Sequence, residues 1–326
     1  MRLDGHDPAA IAEAADLLAA GALVAFPTET VYGLGARADD DAAVEKIYAA
    51  KGRPADHPLI VHVVDAAAAA RWAAPWTALA ARLADAFWPG PVTLIVPRSP
   101  ALGTTAAGGH PTIGLRCPAH PVAGALLAAA AERGVAGVAA PSANRFGRVS
   151  PTLAAHVESE FDGAIPVLDG GACDVGIESA IVDCTRDRPV LLRPGIVSAA
   201  EIEAAAGMPL MEIDADAPRA SGTLASHYAP RATVRLMATP TLRTALEVLG
   251  QTPLRLAVYS RTLPLDLAPS VRHRRMPAGA RQAAHELFSV MRELDAEGAH
   301  LIWVEEPPPD PAWDGVRDRL RRAAAT

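Results

Sequence analysis

Blocks of apolar residues recur along the chain with two different spacings, and the spacings predict the elements. Residues 7–21, DPAAIAEAADLLAAG, follow helical spacing, with Asp7 placed to cap, Pro8 in the first turn and Gly21 at the end. ALVAF (22–26) then reads as a buried strand. DDAAVEKIYAAKG (40–52) predicts a second helix, acidic at its start and ending on Lys51-Gly52, which suits the helix dipole. LIVHVV (59–64), VTLIV (92–96) and TIGLR (112–116) read as strands, with two helical stretches before VTLIV. An alanine-rich helix over 119–134 precedes the strand VAGVAA (135–140). A short helix follows Pro151, then a strand at 165–168 and two more, SAIVDC (179–184) and PVLLR (189–193). Ser198 and Glu201 form the sequence signature of a capping box for a helix that stops at Gly207.

Periodicity fails over 208–230, where Pro, Asp, Gly and Ser interrupt the pattern, and this stretch reads as an ordered linker. Strand and helix signals then restart: TVRLM, a helix over 240–249, the strand LRLAVYS (254–260), a helix over about 278–297, LIWVEE and a last helix near 313–325. The pattern predicts an α/β chain: a mixed-sheet α+β domain over 1–207, the linker over 208–230, and a smaller α/β domain with a mostly parallel sheet over 231–326.

Composition narrows the function classes. The chain has 326 residues, enough for about two domains at roughly 150 residues each. A formal net charge of −7 offers no general attraction for nucleic acid or an anionic membrane. Cys117, Cys173 and Cys184 are an odd number with no CxxC pair, which argues against a disulfide framework or a zinc site and for a reduced, cytoplasmic setting. MRLDGHDPAA lacks the apolar core of a secretion signal, and no long apolar run suggests a membrane span.

Candidate chemistry lies at strand ends and in stiffened loops. FPTETVYGLG (26–35) leaves a strand through several hydroxyls and reaches two glycines, which suits a small polar ligand better than a plain turn. KGRPADHPLIVH (51–62) fixes Lys51 and Arg53 on a loop stiffened by Pro54 and Pro58, a pairing suited to polyphosphate. His62 interrupts an apolar strand, and Arg116 and Arg193 end two others. APSANRFGRVSP (140–151) is polar and turn-rich after a buried strand; it fits neither a Walker A loop nor a dinucleotide fingerprint. Each segment alone suits an ordinary surface loop or ion pair. Together they point to a nucleotide or another phosphorylated ligand, and to an enzyme.

The stretches PTETVYGLG, KGRP…HPLIVH, WPGPVTLI, TIGLRCP, PSAN…SPT, ESAIVD and LLRPG occur in an order that resembles the YrdC/Sua5 family over about residues 10–207. HYAP (227–230) before a small α/β domain resembles the longer Sua5 type. The resemblance implies a twisted mixed-sheet YrdC-like domain followed by a Rossmann-like one. It implies L-threonylcarbamoyladenylate synthesis from ATP, L-threonine and bicarbonate, with Mg²⁺ accompanying ATP. The product would pass to the tRNA threonylcarbamoyl-transferase machinery for modification of adenosine 37, with at most a weak tRNA contact. By the same resemblance, Thr30, His62, Arg116, Ala140 and Ser179 would bind threonine. Lys51, Arg53, His57, Thr112, Ser142, Ser150, Arg193 and Tyr228 would bind ATP, with Lys51 and Arg53 as the catalytic pair. His57 stands where the family usually has asparagine, and Phe146 where a small serine is common.

Two other readings come from different classes. One is an RNA-binding module of the same fold without synthase activity, against which stand the net charge and the lack of interleaved aromatics. The other is a carbamoyl-transfer maturation enzyme, which would need further modules and more cysteines. The basic runs RHRR (272–275) and RDRLRR (317–322) read as solvated faces.

Overall fold

The computed structural model describes residues 1–224, 226–249, 255–263 and 271–325. It divides into two units: Met1–Phe146 with Ser150–Thr223, and Gly147–Val149 with Leu224–Thr326. The segment expected as a linker is therefore shared, its residues up to Thr223 belonging with the first unit. Ala225 of that segment, Leu254 of the expected strand and Thr326 lie outside the described residues.

The first unit runs β1 (Arg2–Asp4), α1 (Pro8–Ala19), β2 (Val24–Phe26), β3 (Gly33–Arg37), α2 (Asp41–Lys51) and β4 (Ile60–His62). It continues with α3 (Ala66–Ala70), α4 (Ala78–Phe87), β5 (Val92–Pro97), β6 (Thr112–Arg116), α5 (Pro121–Glu132) and β7 (Val138–Ala139). It closes with α6 (Ala154–Glu160), β8 (Val167–Asp169), β9 (Ala180–Asp183), β10 (Val190–Arg193) and α7 (Ala199–Ala206). The helix boundaries follow the local chemistry. Asp7 accepts from Ala9 N to start α1, and Asp40 accepts from Ala42 N to start α2. Gly52 ends α2 at φ 63°, and both halves of the Ser198–Glu201 capping box form at α7.

The strands form one ten-stranded mixed sheet in the order β1-β8-β2-β3-β7-β4-β6-β5-β9-β10. Strand β3 adds to the sequence expectation, which assigned no element to Gly33–Arg37. It pairs antiparallel with β2, Gly35 opposite Val24 and Gly33 opposite Phe26. A Cβ on Gly35 would meet Phe26 Cε1 at 2.8 Å and Val24 O at 3.0 Å, so only glycine packs there. Such a strand lacks the side-chain alternation that would announce it.

Two apolar clusters cover the sheet. α1 and α5 pack on Val24, Phe26, Val138 and Leu168, while Leu34, Val61, Leu94, Leu115 and Val182 face the opposite core with α2, α4 and α7. On the β4-β6-β5-β9-β10 half, Ile60, Ile95 and Ile181 point away from that second core. They are met by Met211, Ala217 and Ala220 of the segment that follows α7.

The second unit contains β11 (Thr233–Met237), α8 (Thr239–Leu249), β12 (Leu256–Ser260), β13 (Val271–Arg275), α9 (Ala280–Ala296), β14 (Leu301–Glu305) and α10 (Asp314–Ala323). Its sheet, β11-β14-β12-β13, is parallel at every pairing. RHRR, expected as a solvated face, is an edge strand whose Arg272, Arg274 and Arg275 are exposed. Such charge suits an edge, because it discourages further strand pairing. RDRLRR departs further: Arg319 is 1% exposed, lies over the Tyr228 ring at 5.4 Å and pairs with Asp318 at 2.9 Å. No described helix is long and apolar enough to cross a membrane.

Candidate active site

Register brings the strand-end residues to one edge of the sheet. β4 and β6 run parallel with His62 opposite Arg116. β5 is antiparallel to β6, with Leu94 opposite Leu115, which sets Thr93 at the level of Arg116. β9 is parallel to β5, with Val92 opposite Ala180, so Ser179 enters at the same end. Arg193, at the end of the antiparallel β10, pairs with Ile181 across an irregular register. Strand alternation puts His62, Arg116 and Thr93 on the face of Ile60 and Ile95, where Met211, Ala217 and Ala220 pack.

Thr30 and Arg116 form the first cluster. Arg116 Nη1 donates to Thr30 Oγ1 at 2.8 Å, and Nε donates to Gly90 O at 3.2 Å. Its Nη2 lies 2.7 Å from Glu29 Oε1 as an ion pair, but the alignment leaves both atoms without a hydrogen bond. Thr28 Oγ1 shares a 2.8 Å bond with Thr30 Oγ1 and accepts from Thr30 N and Val31 N, which fixes the turn. His62 packs edge-on against Phe26 at 6.1 Å, and its Nδ1 is buried without a partner. Burial, then the nearby Arg116 charge, pushes the His62 imidazole down to about 3, so the ring is neutral at ordinary pH.

Ser179 and Arg193 form the second cluster. Ser179 Oγ shares a 2.8 Å bond with Thr93 Oγ1, and Arg193 donates to Ser179 through Nη2 to Oγ (3.2 Å) and Nε to O (3.0 Å). The segment after α7 reaches this point: Arg193 Nη1 donates to Ser221 O at 2.8 Å, and Arg53 Nη2 donates to Ser221 Oγ at 3.3 Å. Arg53 Nη2 also donates to Pro58 O at 2.9 Å, and its guanidinium lies 5.9 Å from the Phe146 ring.

Lys51 is 3% exposed, and its ammonium donates to Ser142 O at 2.5 Å and to Asn144 O. Burial and then the Arg53 charge hold its pKa well below the usual lysine range. Lys51 thus clamps the turn that follows β7. Ser150 donates to the buried Glu178 carboxylate. His57 stacks at a tilt on Phe146 at 5.5 Å, and burial followed by Arg53 lowers its pKa. Ala140, also buried, donates its N–H to Ile60 O at 2.9 Å. Thr112 lies at the opposite end of β6 from Arg116, about 13 Å away at roughly 3.3 Å per residue. There it is beside the His57–Pro58 turn that leads into β4, since Ile60 pairs with Gly114.

Tyr228 belongs to the second unit. It is 1% exposed, with φ 63°, and its ring packs against Phe288 (5.5 Å) and His227 (4.2 Å). A tyrosine in left-handed backbone is uncommon and is held here by that packing.

Sequence reading passed over Glu29, Thr93, Glu178 and Ser221. Glu29 sits inside the PTET motif and Glu178 immediately precedes Ser179, so position alone offered a signal. Thr93 likewise sits inside the WPGPVTLI stretch, while Ser221 carries none; only the path of the segment after α7 brings it in.

Fold and site define a mixed-sheet α/β protein with a polar, arginine-lined face suited to a small anionic or zwitterionic ligand, followed by a parallel α/β unit. Residues 16–195 match the Sua5/YciO/YrdC family, which carries the description telomere recombination. Residues 197–325 match the C-terminal domain of threonylcarbamoyl-AMP synthase. The chain belongs to the Sua5/YrdC family, as its ordered motifs implied. The threonylcarbamoyl-AMP synthase of Bacillus subtilis is 45% identical over 238 residues, 71% of this chain and 67% of its own length. That of Pyrococcus abyssi is 37% identical over 328 residues, 95% of this chain and 93% of its own. The crystal structure of Pyrococcus abyssi Sua5 complexed with L-threonine superposes with a TM-score of 0.89 at 35% identity, covering 99% of this chain and 97% of that one.

Proposed function

We propose that the protein is an L-threonylcarbamoyladenylate synthase, a nucleotidyltransferase of the cytoplasm that supplies the tRNA threonylcarbamoyl-transferase machinery. The observation that carries this reading is the likeness to a Sua5 complexed with L-threonine, over nearly the whole chain. Relatives named as synthases favour it over an RNA-binding module.

The threonine ammonium first loses a proton to solvent, and the free amine then reacts with bicarbonate to give a carbamate, releasing water. A carbamate oxygen then attacks the α-phosphorus of ATP, the bond to the β,γ-phosphates breaks, and pyrophosphate leaves. Arg116 meets the threonine carboxylate, while Thr30, neutral His62, the Ala140 backbone and Ser179 complete that pocket. Arg53 and Arg193 meet the phosphates, and His57, Thr112, Ser142 and Ser150 complete the nucleotide site. Lys51 acts beside Arg53. Its bonds to Ser142 O and Asn144 O favour a role in shaping the loop under the nucleotide. Positioning and charge stabilisation would supply most of the rate enhancement. Mg²⁺ enters with ATP as part of the substrate. Among the described residues no group of three or more His, Cys, Asp or Glu side chains is placed to hold a metal, so phosphate and water would ligate it.

The test is pyrophosphate release with threonine, bicarbonate and ATP omitted in turn. Dependence on all three is expected. Release that continues without threonine would overturn the reading.

A further inference from the structure

Glu29 has no role in the reaction as set out above, yet it is the acid built most tightly into the threonine side of the face. It is 6% exposed, and its backbone is pinned by Val175 N donating to Glu29 O at 2.7 Å. Oε2 accepts from Ala119 N, just beyond β6, at 3.1 Å. Oε1 lies 2.7 Å from Arg116 Nη2. Arg116 is therefore held at three points: Gly90 O, Thr30 Oγ1 and the Glu29 carboxylate. Its Nη2 is buried against that carboxylate, so Glu29 sets the plane of the guanidinium.

We propose that Glu29 is the positioning residue of the amino-acid site. It fixes the plane of the Arg116 guanidinium so that Nη1 orients Thr30 Oγ1 and the side chain is held ready for the substrate carboxylate. The inference rests on the proposed function and deepens its threonine pocket. A planar guanidinium recognises a carboxylate through orientation as well as charge. Neutralising Glu29 keeps the Arg116 charge but removes the partner that compensates it and sets its plane.

The experiment is calorimetric titration of wild type, Glu29→Gln and Glu29→Asp with L-threonine, with L-threoninamide, which lacks the carboxylate, and separately with ATP. For Glu29→Gln the threonine Kd rises at least about tenfold, the cost of disturbing one buried charged contact. ATP affinity stays within about twofold, and the threonine-over-threoninamide preference shrinks, because the lost interaction acts on the carboxylate. Glu29→Asp, which keeps the charge, recovers part of the preference and serves if the Gln variant folds poorly. Threonine affinity of Glu29→Gln within about twofold of wild type, or equal weakening of all three ligands, overturns the proposal. If wild type binds threonine and Glu29→Gln matches it, only the positioning role falls. If wild type binds no threonine, the proposed function falls with it.

Discussion

Arg53 and Arg193 converge on a single residue: Arg53 Nη2 donates to the Ser221 hydroxyl at 3.3 Å and Arg193 Nη1 to the Ser221 carbonyl at 2.8 Å. The two guanidiniums come from the loop after α2 and from the end of β10, far apart in sequence. A polyphosphate seated between them would exchange neutral acceptors for charged ones, and charge-assisted bonds are roughly twice as strong. Arg53→Ala is expected to lower pyrophosphate release about tenfold to a hundredfold, with threonine affinity retained. Steady-state kinetics with varied ATP, beside threonine titration, checks it; wild-type release with the fold intact would remove Arg53 from the reaction.

Lys51 should behave differently. Its ammonium is the shared donor for Ser142 O and Asn144 O. Lys51→Met removes two hydrogen bonds from the turn, a loss of about 1–3 kcal/mol of stability at roughly 0.5–1.5 kcal/mol per bond. Urea unfolding should register this loss together with reduced pyrophosphate release. A variant with unchanged stability and lost turnover would place Lys51 on the phosphates instead of the turn.

His62 makes stability depend on acid. Its folded value of about 3 lies below the ordinary histidine value of 6.5, so between these two the unfolded chain holds the extra proton. Stability contributed at neutral pH is therefore lost progressively as pH falls below 6.5 and on toward 3, at roughly 1.4 kcal/mol per pH unit at most. Above 6.5 this group adds no slope. Urea midpoints measured from neutral pH down to about pH 4 should fall more gently for His62→Asn than for wild type. Parallel curves would show that another group sets the acid limb.

Gly35→Ala tests the glycine strand. The added methyl meets Phe26 Cε1 at 2.8 Å and Val138 Cγ1 at 3.0 Å. Overpacking of this kind costs about 1–3 kcal/mol, or a Tm lower by roughly 2–4 °C per kcal/mol for a unit of this size. Thermal unfolding at fixed pH decides it; an unchanged Tm would mean that β2 and β3 separate at no cost.

Most helices and strands were legible because their apolar spacing and caps agree, as with Asp7, Asp40, Gly52 and the Ser198–Glu201 pair. β3 was not, because glycines at 33 and 35 give no alternation, and its pairing depends on the bulk of Phe26 across the ladder. β13 hid behind arginines that read as surface charge, and Arg319 behind a basic run, although it is buried over an aromatic ring. At the site, strand-end arginines and loop hydroxyls were visible as residue types. Their grouping came only through the family resemblance, because it arises from parallel and antiparallel register among β4, β6, β5, β9 and β10.

The second unit is sewn from two pieces of chain: Gly147–Val149 joins Leu224–Thr326, with Ala229 N bonded to Gly147 O and Arg148 paired to Asp295 at 3.3 Å. A gene cut after codon 223 would therefore not excise a self-contained module. It would strand a three-residue stitch in the remaining half and unravel one seam of the half removed. Fusion, splitting or exchange of the second unit between relatives should succeed only when both of its pieces travel together.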